Sequence, residues 1–130
     1  MRKLFIILLF TLLLGCNVDL STDYKVSDNY YVSIIDIPED RSLYYDLGDG
    51  SGIGRVNGGV IAVGWDNDHI IVEQYKDNKN LFYILEINKD SKYAVPSESV
   101  SGPFNETEFN EIRTKLNVDA KLGFSKRFSS

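Results

Sequence analysis

Short apolar runs, separated by turn-forming residues, dominate the chain from residue 30 to residue 87. The runs are rich in β-branched and aromatic residues and are bounded by Gly, Pro, Asn and Asp, which is typical of β-strands. The pattern predicts six strands, over residues 30–36, 42–47, 53–56, 60–65, 69–75 and 81–87. Because most of the connections are short, neighbouring strands are expected to pair antiparallel.

The segment from residue 53 to residue 87 gives the most definite topology. Asn57-Gly58 lies between two apolar runs, and this dipeptide is typical of a tight hairpin because both turn positions need a positive φ. Asp66-Asn67-Asp68 predicts a second tight turn, since Asx side chains bond their own backbone. Residues 76–80 form a polar loop. We therefore expect a four-stranded antiparallel meander over residues 53–87.

The strands of this meander are apolar on both faces. In the last run, Phe82 and Ile84 would face one side of the sheet, and the odd-numbered residues 81–87 would face the other. A sheet with one solvated face would instead alternate between apolar and polar residues. The pattern therefore predicts cover on both faces, at least at the centre of the sheet.

The segment from residue 105 onward has a helical period. Asn105 stands at an N-cap position, and Glu108 three residues later completes the pattern of a capping box. The apolar positions then fall on one stripe, formed by Phe109, Ile112 and Leu116. The pattern predicts a helix over residues 106–116 that packs on the sheet.

These elements predict one α+β domain over residues 30–120, with a mainly antiparallel sheet of five to six strands and one C-terminal helix packed on it. A small two-layer β-sandwich or partly closed barrel, with the helix across an opening, is the alternative. Residues 121–130 are predicted to be a basic, frayed tail, although Phe124 and Phe128 could dock on the domain.

The first fifteen residues have the order of a secretory signal. Arg2 and Lys3 precede eleven residues, 4–14, of which only Thr11 is polar. Eleven helical residues reach about 16 Å, which is roughly half the hydrocarbon core of a bilayer. The segment is therefore too short to span a membrane stably, and it predicts a signal peptide over residues 1–15.

Leu13-Leu14-Gly15-Cys16 resembles the lipobox of bacterial lipoproteins. The resemblance implies cleavage after Gly15, attachment of a diacylglycerol to the sulfur of Cys16, and often acylation of the new amine. Two acyl chains give a stable anchor, whereas one holds a protein only marginally. An ordinary buried cysteine after a cleavable signal, or a signal anchor that is never cut, is the alternative. Residues 16–29 are then a lipidated tether on the exported side of the cell membrane, or in the periplasm or outer membrane of a Gram-negative cell.

The cysteine count agrees with this location, and the net charge disfavours some classes of binding partner. Cys16 is the only cysteine, so an intramolecular disulfide and a thiolate metal cluster are both excluded. Without Arg2 and Lys3, the 14 basic residues fall to 12 against 19 acidic ones, which gives a charge of about −7. This charge disfavours nucleic acid and repels anionic lipid, so the lipid on Cys16 must hold the protein to the membrane.

Candidate metal and nucleotide sites are weak. His69, the only histidine, lies near Asp66 and Asp68, but its place after a turn predicts a solvated side chain. Residues 46–50 and 66–68 are rich in oxygen ligands yet lack the spacing of an EF-hand loop. The glycine-rich run 48–54 lacks the lysine of a phosphate loop. We expect no metal site and no cofactor.

Two further groups of residues bear on function. Asp36, Glu39 and Asp40 lie close together, and a pair of acids can serve glycoside hydrolysis, but such a cluster arises by chance among 19 acids. Seven tyrosines could line a groove for sugar or peptide: Tyr30, Tyr31, Tyr44, Tyr45, Tyr75, Tyr83 and Tyr93. Adjacent tyrosines point to opposite faces of a strand, so at most one of each pair can face a given ligand.

The run YYVSIIDIPEDRSLYYDLGDGSGIG, the two-sided meander, the stretch KDSKY and the C-terminal GPFNETEFNEIRTKLN together resemble the bacterial lipoprotein family labelled DUF3997. The resemblance implies a small exported domain of no assigned activity. It transfers no catalytic residues to this chain.

Two classes of function remain. The favoured one is a lipid-anchored binding or accessory module of the cell envelope, without enzymatic activity, whose partner is an envelope protein or a glycan. The alternative is a small hydrolase that acts through Asp or Glu.

Overall fold

The structure is a computed structural model that describes residues 23–129. The predicted signal peptide, Cys16 and the first part of the predicted tether lie outside the described residues. In chain order the elements are β1 (Tyr24–Ser27), β2 (Tyr30–Ser33), a 3-10 turn (Pro38–Asp40), β3 (Ser42–Asp46), β4 (Gly52–Val56), β5 (Val60–Trp65), β6 (His69–Lys76), β7 (Lys79–Glu86), a second 3-10 turn (Ile87–Lys89), α1 (Pro96–Ser99), β8 (Val100–Phe104), α2 (Glu106–Lys115) and β9 (Lys126–Arg127).

The strands form two antiparallel sheets rather than one. The four-stranded sheet has the order β1-β2-β3-β4, and the five-stranded sheet has the order β8-β7-β6-β5-β9. The predicted antiparallel pairing and the C-terminal helix are confirmed, although the helix content is small. The prediction of a single sheet is wrong, because the chain changes sheets between β4 and β5.

The predicted meander over residues 53–87 is therefore also wrong at its first connection. β4 pairs with β3, while β5 pairs with β6. Positive φ angles do occur there, at Gly58 and Gly59, but they form a corner between sheets and not a hairpin. Three hydrogen bonds to other segments hold the corner: Gly58 N–H donates to Ser42 Oγ at 2.7 Å, Gly59 N–H to the Glu39 carbonyl at 2.8 Å, and Gln74 Nε2 to the Gly58 carbonyl at 2.8 Å.

A tight two-residue hairpin joins β6 to β7. Asp77 and Asn78 have φ angles of 54° and 62°, and Lys76 pairs directly with Lys79 across them. Two positive φ angles in a two-residue loop match the right-handed twist of the flanking strands. The loop predicted over residues 76–80 is thus shorter, because the strands continue into it.

The five-stranded sheet is covered on both faces, as its apolar pattern predicted. One face packs on the four-stranded sheet to form the sandwich core, whose buried members are Val26, Tyr30, Val32, Leu43, Val56, Val60, Val63, Ile70, Val72 and Leu85. The other face packs on α2 to form the helix core, whose buried members are Ile71, Phe82, Ile84, Phe109 and Val118. Alternation along β6 sends Ile70 and Val72 into the first core and Ile71 into the second.

The predicted helix and its cap are confirmed. Asn105 Oδ1 accepts from the Glu108 N–H at 2.8 Å, and Glu108 Oε1 accepts from the Asn105 N–H at 2.9 Å. Phe109 stacks on Phe82 with the ring centroids 4.9 Å apart. The helix therefore closes the second face of the five-stranded sheet. None of the helices between residues 23 and 129 has the length and apolar character needed to cross a bilayer.

Both ends of the described chain are built into the fold. Residues 24–27, which the sequence placed in the tether, form β1 and pair with β2. At the other end, β9 pairs with β5, and Phe124 packs on the helix core, so this part of the predicted frayed tail is ordered by docking. Phe128 packs edge-on against Tyr24 at 5.6 Å.

Candidate functional site

A cleft opens where the corner between the two sheets meets the C-terminal segment. Its volume of about 480 Å³ lies within the range of small-molecule sites. We call it the Arg41 cleft, and its lining residues are Pro38, Glu39, Arg41, Gly59, Val60, Ile61, Tyr75, Arg127 and Phe128. Four separate parts of the chain thus meet at one site.

Arg41 is the deepest charged group of the cleft. It is 9% exposed, and its Nη2 donates to the Ser129 carbonyl at 3.1 Å. Its guanidinium lies over the Phe128 ring, 4.8 Å from the centroid. Within residues 23–129, no carboxylate lies at ion-pair distance from it. Burial lowers the pKa of the Arg41 guanidinium, because desolvation disfavours the charged form.

A second cation, Lys126, lies beside the same aromatic ring, and Arg127 lines the cleft next to it. Lys126 Nζ lies 5.5 Å from the Phe128 centroid. Arg127 lines the cleft with a largely exposed side chain and forms an ion pair with Glu73 at 3.2 Å. In a chain with a formal charge of −5, this is a local concentration of positive charge. An anion in the cleft would therefore be attracted by its surroundings.

The remaining wall of the cleft is mostly apolar. Val60 is fully buried, Ile61 is half-buried, and Pro38 and the Phe128 ring close the sides. Tyr75 is exposed at the mouth, and Glu39 presents an exposed carboxylate at the same rim. The arrangement is a cationic floor beside an apolar wall, which suits a ligand with an anionic end and an apolar body.

A second arginine, Arg55, is paired completely and closed to solvent. Its Nε lies 2.8 Å from Asp90 Oδ2, and both side chains are fully buried. Its Nη2 donates to the Ser91 carbonyl at 3.0 Å. Ser99 donates to Asp90 Oδ1 at 3.1 Å. This network joins β4 of one sheet to the segment after β7 of the other, so it links the two sheets.

Tyr30 completes the buried network. Its hydroxyl donates to Asp90 Oδ2 at 2.8 Å, and its ring meets Tyr45 edge-on at 5.4 Å. Burial, together with this hydrogen bond to a carboxylate, raises the pKa of Tyr30 well above its usual value. A neutral hydroxyl donor is thereby kept in the core, where an anion would repel Asp90.

The tyrosines divide between the inside and the outside, as the strand alternation predicted. Tyr30 and Tyr45 face the sandwich core, whereas Tyr31 and Tyr44 stack on the outer face of the four-stranded sheet, 5.3 Å apart. The Tyr31 ring lies over Gly52, where a Cβ would collide with its hydroxyl. This packing covers a backbone position that has no side chain, so the pair has a structural role in shielding the strand.

Other residues that the sequence singled out have structural explanations. His69 is buried, so its predicted exposure is wrong: it points to the same face of β6 as Ile71. Asp66 caps its turn by accepting from the Asp68 and His69 N–H groups at 2.9 Å and 2.8 Å. Residues 23–129 contain no cluster of three or more His, Cys, Asp or Glu side chains placed to hold a metal ion.

Acids line a second, more open depression beside the first two strands. It has a volume of about 360 Å³ and includes Asp23, Asp28 and Asp46 with Tyr31. Burial, followed by the nearby charges of Asp23 and Asp46, raises the pKa of Tyr31. Asp36, Glu39 and Asp40, the acids that the sequence singled out, do not line this depression. These three residues therefore do not join Asp23, Asp28 and Asp46 in one acidic site.

Sequence reasoning missed the two arginines of the Arg41 cleft, although it named Glu39, Tyr75 and Phe128 for other reasons. Arg41 and Arg127 are 86 positions apart, and no local pattern connects them. The available signals were the docking aromatic residue Phe128 and the basic tail around it. Because the C-terminal segment folds back as β9 and pairs with β5, it places Lys126 and Arg127 at that edge of the five-stranded sheet.

Comparison with known proteins gives one result. The family described as "Protein of unknown function (DUF3997)" matches residues 21–127, which include every described strand and helix. Neither the curated proteins nor the solved structures gave a match. The family resemblance noted in the sequence is thus confirmed over most of the chain, and the protein belongs to the DUF3997 family.

Proposed function

We propose that this protein is a lipid-anchored binding module of the cell envelope that takes an anionic ligand in the Arg41 cleft. The lipid on Cys16 would hold the domain at the membrane, through a tether that ends where β1 begins. The cleft would supply the binding activity, and the two sheets and α2 would supply a rigid scaffold for it.

The observation that carries the proposal is the buried charge of Arg41, which has no carboxylate at ion-pair distance among residues 23–129. Removing a guanidinium from water is costly, and a carboxylate partner offsets that cost only when the geometry is good. Arg55 has such a partner within the protein, and Arg41 has only a carbonyl and an aromatic ring. A ligand carboxylate would form charge-assisted hydrogen bonds to Arg41 while its apolar part covers Val60 and Ile61.

Octanoate is a suitable probe, because it joins a carboxylate to an apolar chain. The test is a titration of the unlipidated polypeptide from Asn17 onward, followed by backbone amide shifts in nuclear magnetic resonance spectra. We expect octanoate to move the Ile61 and Phe128 resonances, while octanol at equal concentration leaves them in place. The proposal is wrong if both probes act alike or if neither moves these resonances.

A variant at the rim separates binding from folding. Arg127→Gln changes an exposed side chain and should leave the fold intact, but it should weaken octanoate binding by about tenfold if the charge contributes one charged hydrogen bond. Lys115→Gln, which removes a cation from the exposed end of α2, is the matched control and should leave binding unchanged. Equal affinities for all three proteins would contradict the placement of the ligand.

A small acid-dependent hydrolase remains the alternative from the sequence. It needs carboxylates that converge on one concave site, whereas the Arg41 cleft presents arginines and a single rim carboxylate. None of the described residues favours it over binding.

A further inference from the structure

The loop between β2 and β3 exposes two large apolar side chains. Ile35 is 78% exposed and Ile37 is 49% exposed, and neither is a member of the sandwich core or the helix core. An exposed isoleucine lacks the hydrophobic stabilisation that a core position would provide. Two of them in one short loop form a small apolar surface, defined here as the Ile35–Ile37 loop.

This loop lies beside the point where the chain leads back to Cys16. Tyr24, the first residue of β1, pairs with Val32. Ser33 Oγ donates to Asp23 Oδ1 at 2.5 Å, so Asp23 and the beginning of the loop are neighbours. Cys16 precedes Asp23 by seven residues. Seven residues of polypeptide reach at most about 25 Å, so Cys16 must lie within that distance of Asp23.

We infer that the Ile35–Ile37 loop rests in the headgroup region of the bilayer that holds the lipid on Cys16. The inference depends on the proposed lipid anchor and adds a second, shallow membrane contact to it. An anchored domain with one flexible attachment can rotate freely, whereas a domain with two contacts has a preferred orientation. Burial of two isoleucines next to the anchor would be favourable, because the anchor has already brought the loop to the surface.

The charges around the loop limit which lipid surface fits. Asp36 is exposed between the two isoleucines, and Glu39 is exposed just after them. Carboxylates are repelled by anionic headgroups and cannot enter the hydrocarbon core. The surface that fits is therefore one of zwitterionic or uncharged headgroups, and the contact is shallow. The Arg41 cleft begins at Pro38, directly after the loop, and would open close to the membrane surface.

The test uses the mature lipidated protein, which begins at Cys16, in vesicles of phosphatidylcholine. Ile35→Cys and Ile37→Cys are each labelled with an environment-sensitive fluorophore, while the Cys16 sulfur is blocked by its lipid. A lipid-attached quencher at headgroup depth should quench both labels strongly. The control is Tyr93→Cys at a position that is 88% exposed and follows the second 3-10 turn; the preceding residue, Lys92, lies near Asp49 of the β3–β4 loop. Its label should be quenched several-fold less.

The outcomes distinguish the loop from the anchor. Flotation of the protein with the vesicles measures the anchor alone, and its failure would overturn the proposed function. If the protein floats and the three labels are quenched equally, only the inference about the loop is wrong. A blue shift of the loop labels without lipid quenching would show a protein partner on the loop and would also overturn it. Ile37→Ser should reduce the quenching of the Ile35→Cys label.

Discussion

Two buried arginines of this domain are stabilised in different ways. Arg55 is enclosed by Asp90, the Tyr45 ring and backbone carbonyls, so its charge is neutralised inside the protein. Arg41 is almost as buried, but among residues 23–129 its guanidinium meets the Ser129 carbonyl and the Phe128 ring and no carboxylate. A fully paired buried charge links elements of the fold, whereas an unpaired one beside a cleft retains capacity for a ligand.

The pair between Arg55 and Asp90 should be essential to stability. Asp90→Asn keeps the shape of the side chain but leaves the guanidinium buried without a counter-charge, which should cost about 3–5 kcal/mol. Urea denaturation of the polypeptide from Asn17 onward measures the free energy of unfolding. The control is Glu86→Gln, which breaks the more exposed pair with Lys89 and should cost about 1 kcal/mol or less. Similar losses in the two variants would contradict the structural role of the network.

Tyr30 should make the domain sensitive to alkali. Burial, and then its bond to Asp90, raises its pKa in the folded state above the ordinary value of 10.0. The folded protein therefore keeps a proton that the unfolded chain loses, so this stability is present below about pH 10 and falls as the pH rises above it. Tyr30→Phe should reduce the slope of unfolding free energy between about pH 9 and pH 11. Tyr93→Phe, at an exposed position, should leave the slope unchanged.

At the scale of elements, α2 closes the second face of the five-stranded sheet, and the chain after it completes that cover. Phe124 packs near both Phe82 and Phe109, with ring centroids 6.1 Å and 6.2 Å away. Arg113 donates to the Leu122 carbonyl at 2.6 Å and so ties the helix to this segment. The helix core therefore depends on two successive parts of the C-terminal region.

Phe109 should contribute more to stability than any exposed position of α2. It is buried and stacks on Phe82, so Phe109→Ala should cost about 3–5 kcal/mol. Glu111→Ala, on the exposed face of the same helix, should cost less than about 0.5 kcal/mol. Urea denaturation provides the comparison. If both variants unfold at the same urea concentration, α2 does not cover the core and would be available to a partner.

The corner between the sheets should tolerate a side chain at one glycine and reject it at the next. A Cβ on Gly58 would lie 3.5 Å from the Glu39 carbonyl oxygen, which is ordinary contact, so Gly58→Ala should cost only about 1–2 kcal/mol for its positive φ. A Cβ on Gly59 would lie 2.5 Å from the Tyr75 carbonyl oxygen. The backbone of Tyr75 cannot easily move away, because its N–H donates to the Gly59 carbonyl. Gly59→Ala should therefore lower the thermal midpoint further, and equal midpoints would contradict this packing.

At the scale of the whole molecule, three layers surround two cores. The four-stranded sheet, the five-stranded sheet and α2 lie in that order, and each face of the central sheet has its own cover. The Ile35–Ile37 loop and the Arg41 cleft follow one another along the chain, between β2 and β3. Asp23, which leads back towards Cys16, is hydrogen-bonded to Ser33 directly before this loop.

The proposed anchor predicts the behaviour of the whole protein in cells. Cys16→Ser removes the sulfur that would carry the diacylglycerol, so labelling with radioactive palmitate should be abolished. The variant should also accumulate as a larger precursor and partition out of the membrane fraction. The control is Gly58→Ala in a protein that retains Cys16, and it should label normally. Unchanged labelling of Cys16→Ser would show that another residue or another mechanism holds the protein.

Local chemistry determined much of the fold. The approximate positions of β2 to β7 followed from β-branched and aromatic runs, and the capping box of α2 followed from Asn105 and Glu108, because each depends on residues within a few positions of one another. The strands β1, β8 and β9 were not predicted, because pairing with a neighbouring strand defines them. The split of adjacent tyrosines between faces followed in the same way from the two-residue period of a strand. The family could also be identified from contiguous stretches of sequence.

Strand pairing at the corner depended on long-range contacts. Asn57-Gly58 is compatible with a hairpin and with a corner, because both can contain residues with a positive φ. The hydrogen bonds that Gly58 and Gly59 form with Ser42, Glu39 and Gln74 stabilise the corner. The burial of His69 was missed for the same reason: it depends on the layer that covers the Ile71 face of β6, and this layer comes from distant parts of the chain. Arg55 and Asp90 are 35 positions apart, and Arg41 and Arg127 are 86 apart. Only the packing of two sheets and a returning C-terminal strand brings such residues together, since no local period carries information over that distance.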